Sequence, residues 1–185
     1  NYKDENGDEM VWYSPWSWQS NPYWMMNENQ NKDWRDRIVG FASVNYKMLD
    51  WLSVNLRTGL DTYNERRQNS TATGSKANPY GDHQESWLNF TERNTDFLFI
   101  ADRKLGKKIG MSGNFGGNRM YQRTESINIR NQKLSIPGFY NIFYYDDVND
   151  LTLNANNYGL YEKRINSLYG SMQFSYNSYL FLDFT

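Results

Sequence analysis

A single histidine, a set of carboxylates and a run of aromatic residues are the groups in this 185-residue chain that could do chemistry. His83 is the only histidine and there is no cysteine, so a metal centre or a Ser-His-Asp triad would have to form around one imidazole. That imidazole lies in a Gly- and Asn-rich stretch with no partners in pattern. Asp146, Asp147, Asn149 and Asp150 carry oxygen enough for a hard cation, but they lack the spacing of an EF-hand and read as a solvated acidic loop. None of the 21 acidic residues forms a pair spaced to select the acid and nucleophile of a glycosidase. Gly113-Asn114-Phe115-Gly116-Gly117 matches no phosphate-binding fingerprint; inside a strand, glycine marks close approach or a bend. The expectation is a non-enzyme without metal or cofactor. Recognition remains open: Phe139, Tyr140, Phe143, Tyr144 and Tyr145 present ring faces for sugar C–H groups and hydroxyls for hydrogen bonds, and are the candidate substrate contacts.

The elements that would position such groups are strands. Ile38, Gly40, Ala42, Val44 and Tyr46 alternate with Val39, Phe41, Ser43, Asn45 and Lys47. Beyond a corner at Met48-Leu49-Asp50, Leu52, Val54, Leu56, Thr58, Leu60 and Thr62 alternate with Ser53, Asn55, Arg57, Gly59 and Asp61. Successive side chains of a strand point to opposite faces, so each arm has one face free of charge. The pattern recurs on either side of Leu105-Gly106-Lys107, with Thr95, Phe97, Phe99 and Ala101 before it and Ile109, Met111, Gly113 and Phe115 after it. It recurs again around Asn177-Ser178, with Leu168, Gly170, Met172, Phe174 and Tyr176, then Leu180, Leu182 and Phe184. Three charge-free hairpin faces imply a lipid-facing sheet.

Composition fits that reading. Apolar residues are 38% and mean hydropathy is −0.89, with no run near the ~20 apolar residues of a membrane helix. A membrane barrel needs no such run, because only alternate residues meet lipid. Net charge is −1, which gives no field for nucleic acid. Aromatic residues reach 17%, and Tyr46, Trp51, Tyr176 and Tyr179 flank tight corners as an interfacial girdle would. Connections alternate short and long, as periplasmic turns and extracellular loops do. The expected division is a loop or strand end at 1–36, hairpins at 37–63, 91–124 and 161–185, and extracellular loops at 64–90 and 125–160. Six strands cannot close a barrel, and Thr185 falls inside an apolar strand, so the chain is expected to be one part of a larger barrel.

The strings Tyr161 to Gly170, Phe174-Ser175-Tyr176 and Tyr179 to Thr185 resemble the mid-barrel segment of SusC/RagA-type TonB-dependent outer-membrane transporters. Asn21-Pro22-Tyr23-Trp24, Tyr46 to Asp61, Asn94 to Leu98 and Ile136 to Asn141 are similar to family stretches in the same order. The resemblance implies an all-β fold: an antiparallel transmembrane β-barrel segment, about six strands of a 22-stranded plugged barrel. It further implies uptake of oligosaccharides or peptides with energy from TonB, which would act through a region absent here. A SusD-like surface lipoprotein would be the partner, with a dimer of such pairs as the implied assembly, in the outer membrane of a Bacteroides-type Gram-negative bacterium. A receptor-like relative with a signalling role is an alternative within the family.

With the charge-free face toward lipid, Arg57, Asp61, Asp96, Asp102, Asn114 and Gln173 face the lumen, where plug contact or structural pairing is the leading expectation. Leu98 and Ile100 are apolar on that face and are expected to pack against a plug. Two soluble alternatives stand beside this: a carbohydrate-binding β-sandwich, which would bury the charge-free faces against one another, and a glycoside hydrolase domain.

Overall fold

The computed structural model describes residues 1–12, 19–144, 151–152, 157–177 and 179–185. Among them, one short helix, α1 (Pro22–Asn27), precedes seven strands: β1 (Gln30–Leu49), β2 (Leu52–Thr71), β3 (Asp82–Leu105), β4 (Ile109–Asn131), β5 (Leu151–Thr152), β6 (Tyr158–Tyr176) and β7 (Leu180–Phe184). They form one antiparallel sheet in the order β1-β2-β3-β4-β6-β7, with β5 paired to the end of β4 at Asn131 opposite Leu151. No helix among the described residues is long and apolar enough to cross a membrane.

The three tight turns follow from their residues. β1 continues through Leu49, so the first corner is Asp50-Trp51, slightly later than the alternation suggested. Gly106 supplies φ +74° at the second, and Asn177 takes φ 50° at the third, a conformation that asparagine tolerates better than most residues.

The strands are much longer than the alternating segments. β2 runs to Thr71 and β3 starts at Asp82, which leaves only residues 72–81 of the expected 64–90 connection outside strands. Likewise β4 continues to Asn131 and β6 begins at Tyr158. These extensions carry charge on both faces, so they have no apolar period to read. Ion pairs accompany them instead: Arg35, Arg66 and Arg130 reach across to Glu65, Glu85 and Asp82 on neighbouring strands, and Arg67 joins Glu65 along β2 itself.

The chain divides into two compact units, and the long strands contribute residues to both. One comprises Asn1–Asp36, Asn64–Asn89 and Glu125–Leu160, the other Arg37–Tyr63, Phe90–Thr124 and Tyr161–Thr185.

The second unit is a bare two-faced sheet. In the β6–β7 pair Met172, Phe174 and Tyr176 lie opposite Phe184, Leu182 and Leu180, while Gln173 lies opposite Asp183. Gly116 and Gly117 allow close packing on both faces of β4. A Cβ at Gly117 would lie 2.7 Å from the Phe97 ring and 2.8 Å from Leu168, and one at Gly116 would lie 2.7 Å from the Phe97 carbonyl and 2.8 Å from the Tyr169 ring.

The first unit contains the buried core. Trp24, Ala72, Leu134 and Ile142 are its buried apolar residues, together with His83, Asn131 and Ser75. Asn21 caps α1 by accepting from the Tyr23 N–H at 3.0 Å, and Pro22 opens the helix where a missing N–H costs nothing. This short helix presents Trp24 to the core.

Candidate functional site

Polar side chains on one face of the second unit meet across successive strands. Arg37 grips Asp61 with two contacts of 2.8 and 2.6 Å, and Asn55 donates to Asn45 at 2.6 Å. Arg57 Nε donates to Asp96 at 3.1 Å, and Asp96 also accepts from Asn118 at 2.5 Å. Asn114 donates to Ser171 at 2.8 Å, and Gln173 to Asp183 at 2.7 Å.

Of the six residues expected on this face, only Arg57 and Asp96 touch one another. Asp61, Asn114 and Gln173 each have a different partner, and the Asp102 backbone N–H donates to the Trp51 carbonyl at 2.9 Å. The partners Arg37, Asn118, Ser171 and Asp183 were not singled out from sequence. A usable signal existed: Asn45 and Asn55 are symmetric about Asp50, as are Arg35 and Glu65, so counting outward from a turn finds facing residues.

The first unit holds a buried polar chain. Ser70 Oγ lies 2.8 Å from His83 Nδ1, and His83 Nε2 lies 3.1 Å from Glu85 Oε1. Glu85 also accepts from Gln68 at 2.8 Å and from Arg66 at 2.8 and 3.2 Å. The Arg66 guanidinium lies 5.7 Å from the Trp34 ring and 5.8 Å from that of Trp87. This corrects the expectation of an isolated loop histidine: His83 belongs to β3, is 1% exposed and has partners on both nitrogens. An ionised Glu85 can only accept, so Nε2–H donates to it and Nδ1 accepts from the Ser70 hydroxyl. The trio resembles a nucleophilic triad in composition, yet Ser70 is 5% exposed, so the arrangement reads as structural.

Burial pushes the Glu85 carboxyl up, but hydrogen bonds from His83, Arg66 and Gln68 outweigh it and hold the group below the usual glutamate range. A depressed folded value means that its stabilisation is complete above the ordinary value of about 4.3 and is lost as pH falls through the lower folded one. Amide protection at Ser70 and His83 is therefore expected to decline on acidification below about pH 4.3. Glu85→Gln should cost about 1–3 kcal/mol at neutral pH and flatten that acid dependence. Hydrogen exchange followed across pH checks both, and an unchanged acid response in the variant would count against the assignment.

The aromatic candidates for substrate contact divide. Phe139 meets Tyr144 edge-on at 5.0 Å, and Tyr140 tilts over His83 at 6.1 Å. Burial, aided by the charge of Glu28, raises the Tyr140 phenol above its usual value. Phe143 is 79% exposed, while Tyr145 and the acidic residues 146–150 lie outside the described residues. Among the described residues no cluster of three or more metal-ligating side chains occurs.

No family model matches the chain, and no curated protein matches it. Solved structures do. The sheet superposes on a structure of the RagAB peptide transporter with a TM-score of 0.81 at 13% identity, over 96% of this chain and 20% of that one. Structures of the RagAB peptide importer give 0.80 in the closed-closed state and 0.78 in the open-open state, each at 14% identity and 99% coverage of this chain. They are covered over 21% and 20% of their lengths, so the chain spans about a fifth of the proteins it matches. At such identity the likeness is one of fold, and the fold is that of an antiparallel β-barrel segment, as the sequence led one to expect.

Proposed function

We propose that this chain forms part of the wall of an outer-membrane transporter, with its charge-free face against acyl chains and its polar face toward the lumen. The observation that carries the reading is the contrast between the faces. Polar pairs such as Arg57–Asp96 and Gln173–Asp183 occupy one face, while the apolar partners Phe174 and Leu182 occupy the other. A soluble sandwich would bury the latter face, but Leu56, Phe99, Met172 and Leu182 are 50, 37, 44 and 55% exposed. The Tyr176–Tyr179 ring pair at 5.9 Å, and Trp51 beneath Arg103 at 5.2 Å, stand beside tight turns where an interfacial girdle is expected.

The structural neighbours carry peptides by their names, which makes a peptide the favoured cargo and an oligosaccharide the second. In this reading energy arrives from TonB through a region outside the chain, and a SusD-like lipoprotein covers the external mouth, in a unit that pairs into dimers. Phe139, Tyr140, Phe143, Tyr144 and Tyr145 would contact cargo or the lid. Arg57, Asp61, Asp96, Asp102, Asn114 and Gln173 would form a polar lining, in which the pairing of Arg57 with Asp96, Asp61 with Arg37 and Gln173 with Asp183 reduces the charge left to trap a passing peptide. The wall itself carries out no bond-making step.

The test places single cysteines at Leu56, Phe99, Met172 and Leu182, and at Ser43 and Ser112 on the other face, in the complete protein reconstituted in bilayers. Fluorophores on the first four should be quenched by a lipid-soluble nitroxide and those on the two serine positions by aqueous iodide. The reverse pattern, or iodide quenching everywhere, rejects the proposal.

A further inference from the structure

At the tight-turn end of the second unit, charge is unevenly spread. The first turn is balanced, since Lys47 pairs with Asp50 at 2.9 Å. Tyr176, Asn177 and Tyr179 bring no charge to the third. The β3–β4 turn differs: Arg103, Lys104, Lys107 and Lys108 accompany a single acid, Asp102, which leaves residues 102–108 at +3 in a chain whose net charge is −1. Arg103 already has a place on the Trp51 ring, at 5.2 Å. The three lysines do not. All are exposed, and among the described residues none of their ammonium groups enters an ion pair or a hydrogen bond. The turn is also fastened between interfacial rings. The Asp102 N–H donates to the Trp51 carbonyl at 2.9 Å and the Asn177 N–H to the Lys108 carbonyl at 2.7 Å, so Trp51 borders it on one side and the Tyr176–Tyr179 pair on the other. Leu105 and Ile109, on the charge-free face by alternation, are exposed immediately before and after it.

We propose that Lys104, Lys107 and Lys108 form a docking patch for net-anionic phospholipid headgroups in the leaflet that borders the tight turns. This rests on the proposed orientation of the charge-free face. That orientation sets Leu105 and Ile109 at the edge of the hydrocarbon layer and the ammonium groups at headgroup depth, where a lysine stem lies along apolar surface while its end stays in water. Each lysine beside an anionic lipid surface is worth roughly fivefold in affinity. A zwitterionic headgroup brings its own cation with its phosphate, so the excess positive charge discriminates against it. An acidic protein is the other chemistry that would fit a basic turn; the continuity of this one with the apolar band and its flanking rings favours lipid.

Native mass spectrometry of the complete protein in detergent tests this by comparing phosphatidylglycerol with phosphatidylcholine of the same acyl chains. Phosphatidylglycerol should bind more tightly, and replacing Lys104, Lys107 and Lys108 together with glutamine should weaken its binding by at least about tenfold. Glutamine at Lys32 and Lys163, two exposed lysines remote from the tight turns, should leave it unchanged. Equal affinity for the two lipids, or a triple variant that keeps the preference, overturns the patch, the former in favour of an acidic protein as the partner. Loss of phosphatidylglycerol when inorganic phosphate replaces acetate at constant ionic strength overturns it in favour of the free anion. A fluorophore at Phe99→Cys, in the same protein reconstituted with a lipid-soluble nitroxide, separates the two failures: quenching without lipid preference sinks the patch alone, and no quenching sinks the orientation beneath it.

Discussion

Val44→Arg is expected to destabilise the complete barrel in a bilayer by about 2–4 kcal/mol, whereas Ser43→Arg, one residue earlier on the same strand, should change it by no more than about 0.5 kcal/mol. The two positions share depth, strand and local backbone, and both are exposed in β1. They differ in the face they present. Val44 lies with Ile38, Ala42 and Tyr46, Ser43 with Asn45, whose side chain accepts from Asn55. If both faces met water, arginine would be tolerated equally at either position. Urea unfolding of the reconstituted protein, read for both variants, measures the difference directly; comparable costs at Val44 and Ser43 would remove the basis for a lipid-facing side.

The second large effect is expected at Trp24. Its side chain is 2% exposed, its Nε1–H donates to Ser75 Oγ at 2.8 Å, and that hydroxyl donates to the Ala72 carbonyl at 2.6 Å. Tyr2 meets the ring edge-on at 6.5 Å, and Lys3, paired with Glu28, sits 5.8 Å above it. One side chain thus links α1, the N-terminal segment and the 72–81 connection. Trp24→Ala should cost about 3–5 kcal/mol of local stability and expose the amides of Ser75, Lys76 and Gly81 to rapid exchange. Ser75→Ala should cost about 1 kcal/mol, since packing is kept. Unchanged exchange at those amides in Trp24→Ala would mean that the helix is not what holds the connection.

What could be read from sequence divides at the point where one face stops being apolar. From Ile38 to Tyr46 and from Leu168 to Tyr176 the chain obeys a period of two, because one face must exclude charge. Beyond Thr62 that demand ends. Asn64, Glu65, Arg66 and Arg67 carry no period, so β2 looked like a loop although it continues to Thr71. The same absence of period hides the surroundings of His83, because its partners Ser70 and Glu85 lie in these aperiodic strand extensions. The helix had a local signature in Asn21-Pro22, a cap followed by a proline, but six residues are too few for an apolar stripe to appear. The polar face was legible as a face, and its individual pairs were not, because pairing depends on register and register on where each turn falls.

Every major strand of this sheet pairs with its neighbour in the chain, and three of the junctions use only residues 50–51, 106–108 and 177–179. Bringing such strands together closes short loops, which forfeits little chain entropy and favours rapid ordering from each bend outward. Ordering of this portion can therefore advance one ribbon at a time, each new edge templating the next, without first requiring contacts between distant parts of the polypeptide.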